Sequence, residues 1–147
     1  MLRFACLLLL ASVIHAAEPI NVTLVDGNQS TVDLNGTPTL AVFWASWCAS
    51  CNAEAPAITA LAAAHPDDLR LVSVSVDENT TAAQGFITQH QLSGPVVHDP
   101  ELALADQWRV HGTPTLIVFG ADGTELARGS RLNGAVQTAL DGLFAAP

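Results

Sequence analysis

Two cysteines separated by two residues, Cys48-Ala49-Ser50-Cys51, are the part of this sequence best equipped to do chemistry. They follow an apolar run, Thr39 to Trp44, that reads as a buried strand. They precede Ala53-Glu54-Ala55-Pro56-Ala57-Ile58, which opens a helix. The first sulfur of such a pair sits where the N–H groups of the first helical turn lack intrahelical partners. Those dipoles stabilise a thiolate over a thiol, so Cys48 is expected to be the nucleophile, with a depressed pKa. Cys51 lies one turn on, within reach to close a disulfide with Cys48, and that pair can store or release two electrons. Other readings compete. A purely structural disulfide would close so short a loop that it restrains the unfolded chain little. A metal site needs about four ligands, whereas His65, His90, His98 and His111 are scattered and no second C-x-x-C exists. Two buried cysteines that never pair would be a coincidence of spacing and context.

The elements that must position this pair are legible as alternating strands and helices. Ile20 to Val25 alternates apolar and polar residues, as a half-buried strand does, and Asp26-Gly27-Asn28 turns it into a second short strand, Ser30 to Leu34. After the strand at 39–44 a helix is expected over 49–64, with Ala53, Ala57, Ile58 and Leu61 on its apolar face and a kink at Pro56. Leu69 to Val76 is β-branched and apolar, a central strand. Asp77-Glu78-Asn79-Thr80-Thr81 supplies capping residues for a helix over 80–91 that carries Phe86, Ile87 and His90 on one side. Val96-Val97-His98 is a short strand. Asp99-Pro100-Glu101 starts a helix running through Trp108, with the aspartate as N-cap and the proline in the first turn. Thr113-Pro114 leads into Leu116 to Phe119, a buried strand. Asp122-Gly123 makes a hairpin to Thr124–Ala127, and Asn133-Gly134 introduces a last helix.

The whole chain, 147 residues and half hydrophobic, is the size of one domain with a sizeable core. A formal charge of −9 and the lack of any lysine leave no basic footprint, so nucleic acid is not an expected partner. Residues 1–17 stand apart, with Arg3 as a short positive region, an apolar stretch from Phe4 to Ile14, and Ala16-Ala17 as small residues for cleavage. This is the composition of a secretory signal peptide, either removed or kept as an N-terminal membrane anchor, ahead of a domain at 18–147. If it is removed, Cys6 leaves with it, and Cys48–Cys51 is the one pairing available. Export also takes the domain to where disulfides persist.

The run Val42-Phe43-Trp44-Ala45-Ser46-Trp47-Cys48-Ala49-Ser50-Cys51 resembles the active-site segment of the thioredoxin superfamily. The continuation Asn52-Ala53-Glu54-Ala55-Pro56, with a glutamate three residues past the second cysteine and a proline two further on, resembles its extracytoplasmic TlpA and ResA-like branch. The resemblance implies an α/β thioredoxin fold: a central mixed sheet flanked by helices, an N-terminal β-hairpin and an inserted α-β unit, over residues 20–145. It implies that Thr113-Pro114 is a cis-proline loop packed beside the cysteines, leaving the Thr113 backbone free to pair with an extended segment of a partner. It gives Glu54 a part in moving the proton of the buried Cys51 thiol. Thioredoxin has a buried aspartate on the preceding strand for this, and the corresponding residue here is Val42. Trp47, beside the nucleophile, is expected on the contact surface, and Trp44 beneath the site. His111 shares the Pro114 loop and could sit near the active face.

The activity implied is thiol–disulfide exchange by a monomer that needs no cofactor and no metal. Its partners would be disulfide-bearing exported proteins in the periplasm, of the apocytochrome c or copper-site type, and a membrane thiol donor that recharges the pair. Two rivals remain open at this point. One is a net disulfide oxidant, although the large helical insertion of the DsbA type is lacking. The other is a copper-handling chaperone using both thiolates, although Met1 is the only methionine. The peroxidase pattern Pro-x-x-x-Thr-x-x-Cys is absent.

Overall fold

The computed structural model describes residues 16–145. Of the expected leader, only Ala16 and Ala17 fall among them; its remainder and Cys6 lie outside the described residues. A hairpin comes first, β1 (Ile20–Thr23) and β2 (Gln29–Val32), paired antiparallel. There follow β3 (Thr39–Trp44), α1 (Ala49–Ala64), β4 (Arg70–Ser75), α2 (Thr80–His90), β5 (Val96–His98), α3 (Ala103–Gln107), β6 (Thr115–Phe119), β7 (Glu125–Gly129) and α4 (Gly134–Ala145). The five-stranded sheet runs β5-β4-β3-β6-β7. Its β3–β4 and β4–β5 pairs are parallel, and β3–β6 and β6–β7 antiparallel. This is the mixed α/β thioredoxin architecture, with the hairpin and the α2-β5 unit where the sequence puts them.

The centre of the sheet is β3, all six residues of which are buried. Successive side chains of a strand point to opposite faces, and β3 divides its cargo accordingly. Leu40, Val42 and Trp44 face a cluster that holds Ala55 and Ile58 of α1, Phe86 of α2, and Val136 and Leu140 of α4. Ala41 and Phe43 face the other way, toward Val22 and Val32 of the hairpin and Leu104 of α3. A continuous apolar strand is therefore required, since neither face of β3 meets water. Its C-terminal end is where the chain turns into α1, and this fixes the cysteine pair at the rim of a rigid layer.

Two local expectations are corrected. The buried face of α1 is Cys51, Ala55 and Ile58, with Leu61 half-buried; Ala53 and Ala57 are exposed. Cys51 must point inward to lie beneath Cys48, and that sets the helix phase. The third helix starts at Ala103, not at Pro100, and ends at Gln107. Residues 99–102 form a turn closed by the Leu102 N–H to the Asp99 carbonyl at 3.1 Å, and Leu102 has φ +60°. Asp99 still caps the helix, from further away: its carboxylate accepts the N–H groups of Leu104 and Ala105 at 3.1 and 2.9 Å. Pro56 lies inside α1 without ending it, and having no N–H it leaves the Asn52 carbonyl without its i+4 donor.

At the sheet edge, Arg128 of β7 donates from Nε and Nη2 to the two Glu125 oxygens at 2.8 and 2.9 Å. That fork holds the Glu125 carboxyl below the usual glutamate value. A carboxyl whose folded pKa is depressed adds stability above its unfolded pKa and loses it as pH falls through the folded one. Glu125→Gln is therefore expected to cost less than about 1 kcal/mol at neutral pH, because solvent screens the pair. In denaturant melts at pH 3 the deficit should shrink toward nothing; a deficit independent of pH would assign it to packing.

Candidate active site

Cys48 is the N-cap residue of α1, with φ −84° and ψ 109°, outside helical space. Its sulfur does the work that a serine or aspartate oxygen does at ordinary helix starts: the Cys51 N–H donates to Cys48 Sγ at 3.2 Å. The sequence reading of a sulfur held at unpaired helix donors thus has a direct counterpart. Cys48 and Cys51 are joined as a disulfide with their Cα atoms 5.2 Å apart. Both are buried, at 6% and 2% exposure. The Ser50 hydroxyl oxygen lies 3.6 Å from Cys48 Sγ, and the Thr113 carbonyl oxygen lies 3.5 Å from it.

Thr113–Pro114 is a cis peptide bond. Its loop is brought to the cysteines by β6, which pairs with β3 so that Phe43 faces Thr115. The approach to the loop is fixed from behind. Arg128 donates from Nη1 and Nη2 to the carbonyls of Arg109 and Trp108, at 3.0 and 2.8 Å. Arg109 has φ +54°, a region L side chains rarely adopt, and these bonds brace it. The Thr115 hydroxyl then donates to the Gly112 carbonyl at 2.6 Å.

The remaining expected residues are placed as follows. Trp47 is 75% exposed, the most open large apolar side chain among the described residues, directly beside Cys48. Trp44 is buried, stacked on Phe86 with ring centroids 4.1 Å apart, and its indole N–H donates to the Ser73 hydroxyl at 2.7 Å. Glu54 lies on α1 one turn beyond Cys51. With Cys51, Val42, Ser73 and Pro114 it lines a small, almost wholly apolar cavity of about 20 Å³. Its Oε2 accepts the Leu132 N–H from the loop before α4 at 3.1 Å. So Glu54 is anchored beside the buried sulfur, and one of its oxygens is committed to the backbone. His111 is exposed. Among the described residues, no group of three or more His, Cys, Asp or Glu side chains is arranged to hold a metal ion.

Three residues that form or contact the cysteine turn carry no mark in the sequence. Ser46 and Asn52 are ordinary polar residues flanking the motif. Asp77 stands in the capping run before α2, but Asn79 alone caps that helix, accepting the Ala82 N–H at 2.9 Å. No periodicity or spacing marks Asp77, because its partner Ser46 is thirty-one residues away.

Fold and site together define a thioredoxin-fold domain with a redox-type disulfide at a helix N-terminus and a cis-proline loop against it. The chain belongs to the AhpC/TSA family, whose model matches residues 14–124. It is similar to a secreted disulfide oxidoreductase of Mycobacterium tuberculosis that is homologous to E. coli DsbE. That similarity has a TM-score of 0.71 and 29% identity, and it covers 87% of this chain and 96% of that one. It is also 31% identical over 108 residues to a thioredoxin-like protein of Haemophilus influenzae, covering 69% of this chain and 63% of that protein. The thiol-disulfide oxidoreductase ResA of Oceanobacillus iheyensis is 33% identical over 100 residues, covering 65% and 52%. The chain thus spans between about half and just under two thirds of the curated relatives it matches.

Proposed function

We propose that this protein is a thiol–disulfide oxidoreductase that reduces disulfides of exported proteins. The observation that carries the reading is the Cys48 sulfur serving as the N-cap of α1 while bonded to Cys51 one turn below. In the reduced protein the Cys48 thiolate attacks a partner disulfide, forming a mixed disulfide and releasing one partner sulfur as a thiolate, which takes up a proton. Cys51 then loses its proton and attacks Cys48 Sγ. The second partner sulfur leaves, the partner has gained two electrons, and the protein is left as the Cys48–Cys51 disulfide. Trp47 and the Thr113 backbone form the docking surface around the exposed side of Cys48, with Pro114 holding that backbone in place. Glu54, which lines the same small cavity as Cys51, takes the Cys51 proton.

The names of the relatives support this chemistry and setting. They include a soluble secreted antigen of Mycobacterium tuberculosis and a sporulation thiol-disulfide oxidoreductase of Bacillus subtilis. The leader-like segment supports export, to a periplasm or an equivalent space, and no helix among the described residues is long and apolar enough to cross a membrane. Clients of the apocytochrome c or copper-site type, and a membrane thiol donor that re-reduces the pair, complete the reading.

The test is dithiol-driven reduction of insulin by the full chain, with the potential of the pair measured against glutathione. Turnover together with a potential near thioredoxin's, about −270 mV, is expected. Turnover as an oxidant, with a potential near −120 mV, would reverse the assigned direction. Glu54→Gln is expected to slow release of the reduced partner by about a hundredfold, within the usual range for a positioned acid–base group. It should also change the pH profile of that step; an unchanged thiol titration in this variant removes Glu54 from the mechanism.

A further inference from the structure

The turn Ala45–Cys48 is held on both sides by residues to which the exchange mechanism gives no part. On its donor side stands Asp77, a carboxylate only 2% exposed. Its oxygens accept the Ser46 N–H at 3.0 and 3.1 Å, the Ser46 hydroxyl at 2.7 Å and the Ser75 hydroxyl at 2.9 Å. On the acceptor side stands Asn52, whose amide donates to the carbonyls of Ser46 and Cys48 at 3.1 and 3.0 Å. Each clamp is itself anchored. The Asp77 carbonyl is 2.9 Å from His98 Nε2 of β5, and the Asn52 side-chain oxygen is 2.8 Å from His90 Nε2 of α2.

A buried carboxylate is costly unless fully hydrogen-bonded. A negative charge behind the nucleophile also gives no electrostatic help to a thiolate. Asp77 is therefore badly suited to activating Cys48 by charge and well suited to fixing its backbone. The thiolate benefits from the helix donors only if Sγ stays within reach of the Cys51 N–H, and the turn that Asp77 and Asn52 grip is what aims it there. We propose that Asp77 and Asn52 are positioning residues for the exchange reaction: they lock the 45–48 turn so that Cys48 Sγ remains seated on the N-terminus of α1. The inference rests on the proposed exchange chemistry for its functional meaning, but its readout is a thiol titration that needs no partner.

The experiment compares the Cys48 thiol pKa, by pH-dependent alkylation of the reduced full chain, in the unmodified protein and in Asp77→Ala, Asp77→Asn and Asn52→Ala. Thermal melts check that each variant is folded. Asp77→Ala and Asn52→Ala should raise the Cys48 pKa toward that of a free thiol, about 8.5. A rise of about one unit leaves about tenfold less thiolate, partly offset by its greater nucleophilicity, so alkylation at neutral pH should fall about threefold. Asp77→Asn preserves an acceptor for the Ser46 N–H and should stay near the unmodified value. A Cys48 pKa that falls in both Asp77 variants would show that the carboxylate acts through its charge, which overturns the proposal. An unchanged pKa in folded Asp77→Ala or Asn52→Ala overturns it as well. If Asp77→Ala does not fold, Asp77→Asn and Asn52→Ala decide between the same outcomes. Inactivity of the unmodified protein toward insulin, with the pKa shifts present, would refute the exchange function and leave the positioning role standing.

Discussion

Cys51→Ala is expected to convert a turning-over protein into a trap. With Cys48 still at the tip of α1, attack on a partner disulfide proceeds, but no second sulfur is available to resolve it. The Cys51 position is 2% exposed and sits beneath Cys48 on the buried face of α1. Solvent thiols reach a mixed disulfide at Cys48 only from outside, past Trp47 and the Thr113 loop. Insulin turnover should therefore fall by about a thousandfold or more, the scale on which an effectively intramolecular attack exceeds a bimolecular one. A covalent adduct that dithiothreitol releases should accumulate. Alanine at a buried, close-packed cysteine costs little volume, so the fold should persist. Mass spectrometry of the adduct identifies the client. Near-normal turnover in this variant would mean that Cys51 does not resolve the intermediate, and the two-sulfur mechanism would fail.

Phe43→Ala should have the largest effect on stability. Phe43 is fully buried at the middle of the sheet and meets the Trp108 ring edge-on, with centroids 5.8 Å apart and planes at 77°. Trp108 in turn lies 5.2 Å from Phe119. Removing the first ring leaves a cavity that the flanking strands β4 and β6 cannot close, since both are pinned to β3 by their ladders. A loss of about 3–5 kcal/mol is expected, lowering the melting temperature by about 10–20 °C for a domain of this size. Phe43 also pairs across the ladder with Thr115, next to Pro114, so exchange activity should decline before the domain unfolds. A loss below about 1 kcal/mol would show that the hairpin and α3 collapse onto the vacancy.

Much of this molecule can be read from its sequence because the informative residues act locally. The two cysteines, the strand before them and the helix after them are contiguous, so their mutual geometry follows from helix and strand periods alone. The element order is legible for the same reason: apolar runs alternate with capped or turn-rich breaks. The phase of α1 was not legible, because eight of its sixteen residues are alanine and alanine suits either face. The start of α3 is not legible because Asp99 caps at a distance, through a turn ending in left-handed Leu102, which no residue type announces. Asp77 was invisible as a site residue because its meaning lies in a contact across the sheet. Glu54 was legible as a neighbour of Cys51, whereas its bond to Leu132 depends on where the last loop returns.

The three tryptophans of the chain occupy distinct optical environments. Trp47 stands open to water at the reactive tip, Trp44 is sealed against Phe86, and Trp108 is half-buried on the far side of the sheet. Emission from the first should respond when another protein settles over the disulfide, while the other two stay silent until the domain melts. The chain thus carries an intrinsic fluorophore that separates docking from denaturation without any label.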